Sequence, residues 1–179
     1  MNVATLEGDV ILRPPIPEID GPTIDAWYAE DPDGVWNVFL ERPTRSQFEI
    51  LTAALGAQEH RYWVIEVGRP IGLVRLSTKD RAPRHAAVLY YVARADRGGG
   101  HGTRAVQAIV HHAFADLGFD VLLADVLLTN TPSARLLEKL GFERTGDRNL
   151  ARTDRGPEQL EEWRLARDRV VPGRHISAR

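Results

Sequence analysis

The sequence predicts a single α/β domain built on a mixed, mostly antiparallel sheet with flanking helices. Three apolar, β-rich segments separated by short turns follow one another between residues 61 and 93. A glycine-rich loop and a helical stripe then lead to another buried strand, which is typical of a strand–helix–strand crossover. The chain has 179 residues, 43% of them hydrophobic, and this is enough for one domain with a sizeable core.

The N-terminal third is expected to contain one short strand and two helices. Residues 9–13 are β-rich and are followed by two prolines. A short helix is expected over residues 23–28. A second is expected over residues 44–57, because a Thr-x-x-Gln capping box precedes apolar residues at helical spacing.

A three-stranded meander follows. Residues 61–67, 71–77 and 85–93 each form an apolar, β-rich run, and turn residues such as Gly68 and Pro70 separate the first two. The third run is apolar on both faces, so we expect it to be the central strand.

The crossover begins after this third strand. Apolar residues from Val106 to Leu117 repeat at intervals of three and four, which predicts an amphipathic helix that ends at Gly118. Residues 119–128 then read as a buried strand. A strand, a crossover helix and a strand predict a right-handed parallel pair.

The end of the domain is expected to hold a short helix and a closing pair of strands. Thr131 is expected to cap the helix with Pro132 at its first position. Residues 142–147 and 160–167 are the predicted strands. The polar tail, 168–179, is expected to fray, so residues 9–167 form the core of a single domain spanning 1–179.

Composition excludes several classes of function. The formal charge of −2 and the isoelectric point of about 6.3 give no support for a nucleic-acid partner. Without cysteine, the chain has no disulfide scaffold, thiolate zinc site or cysteine nucleophile, and we expect no metal. We see no signal peptide and no apolar run long enough for a membrane span, so a cytoplasmic protein is expected.

The stretch RGGGHG, residues 97–102, is the most unusual part of the chain. Glycines let the backbone approach a ligand, and the start of a helix offers unpaired amides, so the loop predicts a phosphate cradle rather than a plain flexible turn. No lysine follows, which excludes a Walker loop. Gly100, Gly102 and Ala105 have the spacing of a dinucleotide fingerprint, but the antiparallel strands before them count against that alternative.

A different pattern fits the loop better. Arg97, Gly100 and Gly102 satisfy R/Q-x-x-G-x-G/A, and here the chain resembles the GNAT superfamily of acyl-CoA-dependent N-acyltransferases. The stretch NTPSARLLEKLGFERTG is similar to the second signature of that family. Asn130 with Ser133, the LEKLGF ending and VILRP near the start most resemble its RimJ/RimL branch.

The resemblance implies a fold and an activity. The expected fold is a GNAT domain in which a parallel strand pair splays apart. The expected reaction is direct attack of a primary amine on acetyl-CoA in a ternary complex, with a protein N-terminus or a small amine as acceptor. This reaction needs no covalent enzyme intermediate, in agreement with the absence of cysteine. Relatives of this branch are often homodimers.

The resemblance also implies which residues bind CoA. The pyrophosphate would be held by the amides of the loop and its first helical residues: Arg97, Gly98, Gly99, Gly100, His101, Gly102 and Thr103. The pantetheine arm would pair with the backbone of Val92, Ala93 and Arg94, and an amide of Val92 would be an oxyanion donor. Asn130 would bond the arm or support the bend. Arg135 and Lys139 would either reach CoA phosphates or face solvent.

For the catalytic acid, the resemblance singles out Ser133. The tyrosine that serves as acid in many members would stand at Leu137, so that role is empty here. The alternative for Ser133 is a helix-start residue that pairs with backbone. The strand glutamate of the branch is also missing. Tyr90 remains, either lining the acyl site or packing in the core.

The general base stays open at this point. Asp125 interrupts an apolar strand, and a buried carboxylate needs a reason. The other candidates are a relayed water, two acidic residues on the late strand and three histidines, of which the adjacent pair is expected at the surface: Glu161, Glu162, His85, His111 and His112.

The acceptor pocket is expected between the N-terminal helices and the late hairpin. Trp27 and Trp36, with Tyr28 and Phe39 nearby, would line it or simply pack, and Glu162 would border it. Asp31 and Asp33 would attract a cationic amine or belong to a solvated turn.

Two other functions compete with the acetyltransferase. One is a non-catalytic CoA-binding or interaction module, which the missing tyrosine and glutamate favour. The other is an acyltransferase for longer groups such as succinyl, for which Arg75 or Arg94 would supply a cation.

Overall fold

The structure, a computed structural model, describes residues 5–32, 59–78, 81–153 and 156–169. In these residues the strands are β1 Thr5–Glu7, β2 Val10–Arg13, β3 His60–Glu66, β4 Pro70–Ser77, β5 His85–Val92, β6 Val121–Leu127, β7 Glu143–Thr153 and β8 Gly156–Ala166. The α-helices are α1 Pro17–Glu30, α2 His101–Ala115 and α3 Thr131–Lys139. The helix predicted over residues 44–57 and the side chain of Trp36 lie outside the described residues.

The described strands form one sheet in the order β1-β2-β3-β4-β5-β6-β8-β7. Every neighbouring pair runs antiparallel except β5 and β6, which are parallel and joined through α2. The predicted mixed sheet, with its meander, crossover and closing hairpin, is therefore confirmed. The hairpin strands are longer than predicted, and β1 was not predicted at all, because charged and very short segments carry little apolar alternation.

The helix predicted over residues 23–28 is present but longer than predicted, because α1 starts at Pro17, ends at Glu30 and has Pro22 within it. Tertiary contacts explain the difference. Arg13 holds the buried carboxylate of Asp20 with two hydrogen bonds of 2.7 and 2.8 Å, and the same carboxylate accepts from the Ile16 amide at 2.7 Å. These contacts anchor the first turn of α1 to β2 and outweigh the helix-breaking tendency of Gly21 and Pro22.

The cap of α3 also differs from the prediction. Asn130, rather than Thr131, is the N-cap, and its side-chain oxygen accepts from the Ser133 amide at 3.2 Å. This is the usual contact of an asparagine cap with the third residue of a helix. Pro132 lies within the first turn, where the backbone N–H that proline lacks would have no partner in the helix.

Each face of the sheet has its own apolar cluster. One face packs against α2 through residues such as Val106 and Ile109, and the other packs against α1 through Ile24 and Trp27. His112 is buried beside Trp63, a residue of the first cluster, so its predicted surface position was wrong. It is satisfied by a 2.7 Å contact from Nδ1 to Asp116, whereas His111 is exposed.

A gap opens between the two parallel strands. They pair only over residues 85–87 of β5 and 121–123 of β6. Beyond Ala87, β5 stays with β4 as far as Val92, while β6 stays with β8 as far as Leu127. The parallel pair therefore splays apart, as predicted, and leaves backbone groups of β5 facing the gap.

The close approach of β4 and β5 beside this gap depends on Gly72. A Cβ at this position would lie 2.2 Å from the Tyr91 carbonyl oxygen. We therefore expect Gly72→Ala to lower the free energy of unfolding in urea by about 2 kcal/mol or more through overpacking. Gly68→Ala is the control, because that Cβ would meet no atom within 4 Å and costs only the strain of a positive φ. Equal losses for the two variants would contradict this interpretation.

Among the helices in the described residues, none is long and apolar enough to cross a membrane.

Candidate active site

The loop between β5 and α2 has the backbone shape that its glycines suggest. A 3-10 turn over residues 94–96 follows β5, and then Gly98 and Gly100 take left-handed φ values of +87° and +76°. Gly100 is the N-cap of α2 and has no side chain to offer the helix. Glycine is the residue that adopts these conformations without a steric penalty.

This geometry leaves the first amides of α2 without a helical partner. The first bond that α2 makes back to its cap runs from the Arg104 amide to the Gly100 carbonyl oxygen at 3.1 Å. The amides of His101, Gly102 and Thr103 therefore have no acceptor within the helix, and no side chain caps them. Amides that converge at the positive end of a helix dipole fit the diphosphate of a nucleotide cofactor.

The side chain of His101 folds back over the loop. Its Nδ1 lies 2.8 Å from Nη2 of Arg104, and a Cβ on Gly99 would come within 2.7 Å of its Nε2. Because a guanidinium only donates, Nδ1 accepts in this pair and the ring proton lies on Nε2. Arg104 also reaches Asp9 at 3.0 Å, so the contact ties the loop to the β1–β2 turn.

The motif arginine is held on three sides. Arg97 donates from Nε to the Val92 carbonyl oxygen at 2.9 Å and from Nη2 to Asp31 at 2.5 Å, and its guanidinium lies 5.5 Å from the centre of the Tyr91 ring. Arg94 reaches the same carboxylate at 3.3 Å. Asp31 is buried, so the solvated turn considered for it was wrong.

The pKa of Asp31 reflects these contacts. Burial raises it, but hydrogen bonds and charge from Arg94 and Arg97 outweigh burial and hold the pKa below its ordinary value. The carboxylate is therefore ionised at neutral pH and forms an ion pair between the end of α1 and the loop.

Backbone alternation decides which groups of β5 face the gap. The Ala93 amide donates to the Ile71 carbonyl oxygen at 2.8 Å, on the β4 side. Successive residues of a strand point their hydrogen-bonding groups to opposite edges, so those of Val92 point away from β4 and toward the gap. The amide of Ala93 is thus already used within the sheet. The amide of Val92 is directed as an oxyanion donor would have to be.

Tyr90 and Ser133 form a hydrogen-bonded pair at the gap. The Tyr90 hydroxyl on β5 lies 2.6 Å from Oγ of Ser133 on α3. Burial raises the pKa of Tyr90 to about 12, although the bond to Ser133 works in the opposite direction. Tyr90 therefore stays protonated at neutral pH and can donate to Ser133 or accept from it.

Helix α3 holds Ser133 in a fixed place. The Asn130 side chain binds the Ser133 amide, which leaves the hydroxyl of Ser133 available for Tyr90. Leu137, where a tyrosine acid would stand, is fully buried in the core and anchors the helix. Arg135 and Lys139 lie on its exposed side.

Two of the carboxylates predicted as candidate site residues meet on the face of the sheet opposite to Tyr90. Asp125 on β6 and Glu162 on β8 are direct partners in the strand register, and Arg81 lies 3.5 and 3.7 Å from them. Asn149 donates to Asp125 at 2.9 Å. The pairing of β6 with β5 ends at Leu123, so Asp125 lies where β6 borders the gap. Asp125 is exposed, so the burial expected for this carboxylate was wrong. Glu161 instead pairs with Arg144 at 3.4 Å.

Trp27 is a core residue rather than an open pocket wall. It is 7% exposed, and its ring centre lies 5.9 Å from that of Tyr91. Of the two alternatives considered for this side chain, lining the acceptor pocket or packing in the core, its burial favours packing. Arg75 is 1% exposed beside Tyr62 on the same face.

A comparison with known families identifies this arrangement. The family described as "Acetyltransferase (GNAT) domain" matches residues 9–143, which is most of the chain. The chain belongs to the GNAT acetyltransferase family. The matched part includes the gap between β5 and β6, the glycine-rich loop and the whole of α3.

Individual relatives agree with the GNAT assignment. The chain is 30% identical over 95 residues to p20 of Bacillus licheniformis, described as an uncharacterized N-acetyltransferase; the match covers 52% of the chain and about half, 53%, of that protein. The fold of the present chain is similar to that of Mycobacterium smegmatis RimJ in complex with CoA-disulfide. The TM-score is 0.75 at 20% identity, and the match covers 92% of this chain and 84% of RimJ. The fold is equally similar to that of the ribosomal-protein-S5-alanine acetyltransferase of Vibrio fischeri. The TM-score is 0.76 at 21% identity, and the match covers 96% of this chain and 100% of that protein.

Sequence reasoning missed two contacts of the GNAT site. The pairing of Asp31 with Arg94 and Arg97 joins residues more than 60 positions apart, and no local pattern announces it. The bridging position of Arg81 was also missed. The Tyr90–Ser133 contact could have been predicted, because the sequence indicates both residues separately as candidates for the site.

Proposed function

We propose that this GNAT protein is an acetyl-CoA-dependent N-acetyltransferase that acetylates a primary amine directly in a ternary complex. The observation that carries the proposal is the Tyr90–Ser133 hydrogen bond, because it joins two hydroxyls across the strand and the helix that border the gap.

The loop would hold the diphosphate of CoA. The residues that contribute are Arg97, Gly98, Gly99, Gly100, His101, Gly102 and Thr103, through amides supported by the positive end of α2. The pantetheine arm would run along the backbone of Val92, Ala93 and Arg94 at the gap between β5 and β6, where the Ala93 amide is not available because it donates to Ile71. Asn130 would support this arm from the start of α3. Arg135 would reach the phosphates of CoA from the exposed face of the same helix.

Acetyl-CoA supplies a thioester, whose cleavage releases a thiolate. Val92 would stabilise the negative charge that develops on the acyl oxygen, since its amide is directed into the gap. Ser133 would donate a hydrogen bond to the developing negative charge on sulfur, and Tyr90 would donate to Ser133 in turn. The pKa of a thiol is about 8.5 and that of Tyr90 is about 12. A charge-assisted hydrogen bond to the sulfur is therefore favoured over complete transfer of a proton from the hydroxyl pair to the thiolate.

The acceptor would approach from the face that carries the two carboxylates. Asp125 would accept the proton of the amine directly or through a water, and Glu162 would bind its cationic form, with Arg81 between them. Trp27 supports this face from the core, and Trp36 is proposed to line it. A protein N-terminal amine is one acceptor class, which the S5-alanine acetyltransferase among the similar folds supports; a small amine is the other.

A panel of amines with acetyl-CoA tests this function through the release of free thiol. It should include a peptide with N-terminal alanine, free amino acids and a polyamine, with reactions lacking amine as controls. We expect amine-dependent release for at least one class. A melting temperature raised by CoA without release for any amine would favour a binding module, and no shift at all would contradict CoA binding. Succinyl-CoA in the same panel tests the longer acyl donor.

A further inference from the structure

We propose that Asp31 is a positioning residue for the CoA-binding loop. Its carboxylate fixes the guanidinium of Arg97 at the Val92 carbonyl oxygen and so holds the turn between β5 and α2 in shape. The inference rests on the proposed CoA site and adds a residue from α1, outside both sequence signatures.

The contacts form a continuous chain from α1 to the gap. Asp31 ends α1, and its own amide donates to the Trp27 carbonyl oxygen at 2.8 Å. Its carboxylate binds Arg97, which in turn binds Val92, the residue whose amide faces the gap. Trp27 and the Arg97 guanidinium both contact the ring of Tyr91. The end of α1, the last residues of β5 and the loop are therefore one packed unit.

The position of Asp31 is electrostatically unfavourable without these arginines. A carboxylate at the C-terminus of a helix opposes the helix dipole, and the last turn of α1 has no basic residue. Its side chain is only 10% exposed. Both compensating charges come from the loop, so the loop conformation that pairs Arg94 and Arg97 with Asp31 is energetically favoured.

Charge and geometry predict opposite effects of removing this carboxylate. Asp31 neutralises Arg94 and Arg97 next to a site for an anion, so on charge alone its loss would strengthen the binding of a phosphate ligand. If Asp31 positions the loop, its loss frees Arg97 from its partner, loosens the Val92 contact and weakens binding. The sign of the change therefore separates the two roles.

Calorimetric titration of the full-length protein with CoA provides the test. We expect Asp31→Asn to weaken CoA binding about tenfold, the loss typical of a charged hydrogen bond, with kcat at saturating acetyl-CoA within about twofold of wild type. Glu30→Gln is the matched control, because it removes the same charge from the exposed neighbouring position, and it should leave the Kd unchanged.

A double-mutant cycle keeps the test decisive if Asp31→Asn lowers stability. Arg97→Gln alone should weaken CoA binding, and adding Asp31→Asn should cost little more, because both changes break the same contact. Tighter or unchanged binding by Asp31→Asn, or additive losses in the cycle, would overturn the positioning role. Failure of the wild type to bind CoA would instead remove the proposed function itself, and the inference with it.

Discussion

Replacing Ser133 with alanine is expected to lower kcat by about 10- to 100-fold while changing the Kd for CoA by less than about twofold. The estimate follows from the loss of one hydrogen bond to a charged group, which contributes about 1.5–3 kcal/mol. The Asn130 cap binds the amide of residue 133 rather than its side chain, so the helix start should survive. Steady-state kinetics with the best amine of the panel, together with CoA titration, measure both quantities.

Thr131→Ala is the matched control for this variant. It removes a hydroxyl from the same helical turn, at an exposed position without a contact to Tyr90, and should leave kcat unchanged. Tyr90→Phe should lower kcat by less than Ser133→Ala does, and the double variant should resemble Ser133→Ala, because both changes act through the same hydrogen bond. An unaltered kcat in Ser133→Ala would remove this serine from the mechanism.

Replacing Gly100 with leucine is expected to weaken CoA binding by at least about 100-fold in a protein that remains folded. Leucine at a φ of +76° costs about 1–2 kcal/mol of stability, so the backbone is driven out of the left-handed conformation that aims the α2 amides. Its Cβ would also lie 3.2 Å from Nη1 of Arg104. Calorimetric titration with CoA and circular dichroism measure binding and folding separately.

Gly118→Leu isolates the effect of the cradle from that of backbone strain. Gly118 has a φ of +74°, nearly the same as Gly100, and a Cβ there would meet nothing within 4 Å. The two variants should therefore lose similar free energy of unfolding, while only Gly100→Leu should lose CoA affinity. Similar affinities for the two would show that the conformation of Gly100 does not serve CoA binding.

The fold was predictable where local patterns carry the physics. Period-two and period-3.6 apolar patterns identified β3 to β6 and α2, and the order of elements then determined the parallel pair. Helix α1 was underestimated because its stability comes from contacts such as Arg13–Asp20 rather than from its own residues. The closing hairpin was underestimated because both of its strands are rich in charge and β7 is largely exposed.

The candidate site divides in the same way. The glycine-rich loop and Ser133 were found because their spacing along the chain is itself the signal. The burial of Asp31 between two arginines and the meeting of Asp125 with Glu162 depend on which strands and helices become neighbours. The sequence left the place of Trp27 open, because an aromatic side chain near a loop suits a pocket wall and a core equally well, and the structure shows it buried.

The central claim is that the loop amides at the start of α2, together with Val92, form a CoA site. Amide NMR of the ¹⁵N-labelled protein during titration with CoA tests it most directly. We predict that the largest shifts occur at His101, Gly102, Thr103 and Val92, with Gly118, three residues beyond the far end of α2, unaffected. Shifts with NAD rather than CoA, or CoA-induced shifts that bypass these amides, would contradict the claim.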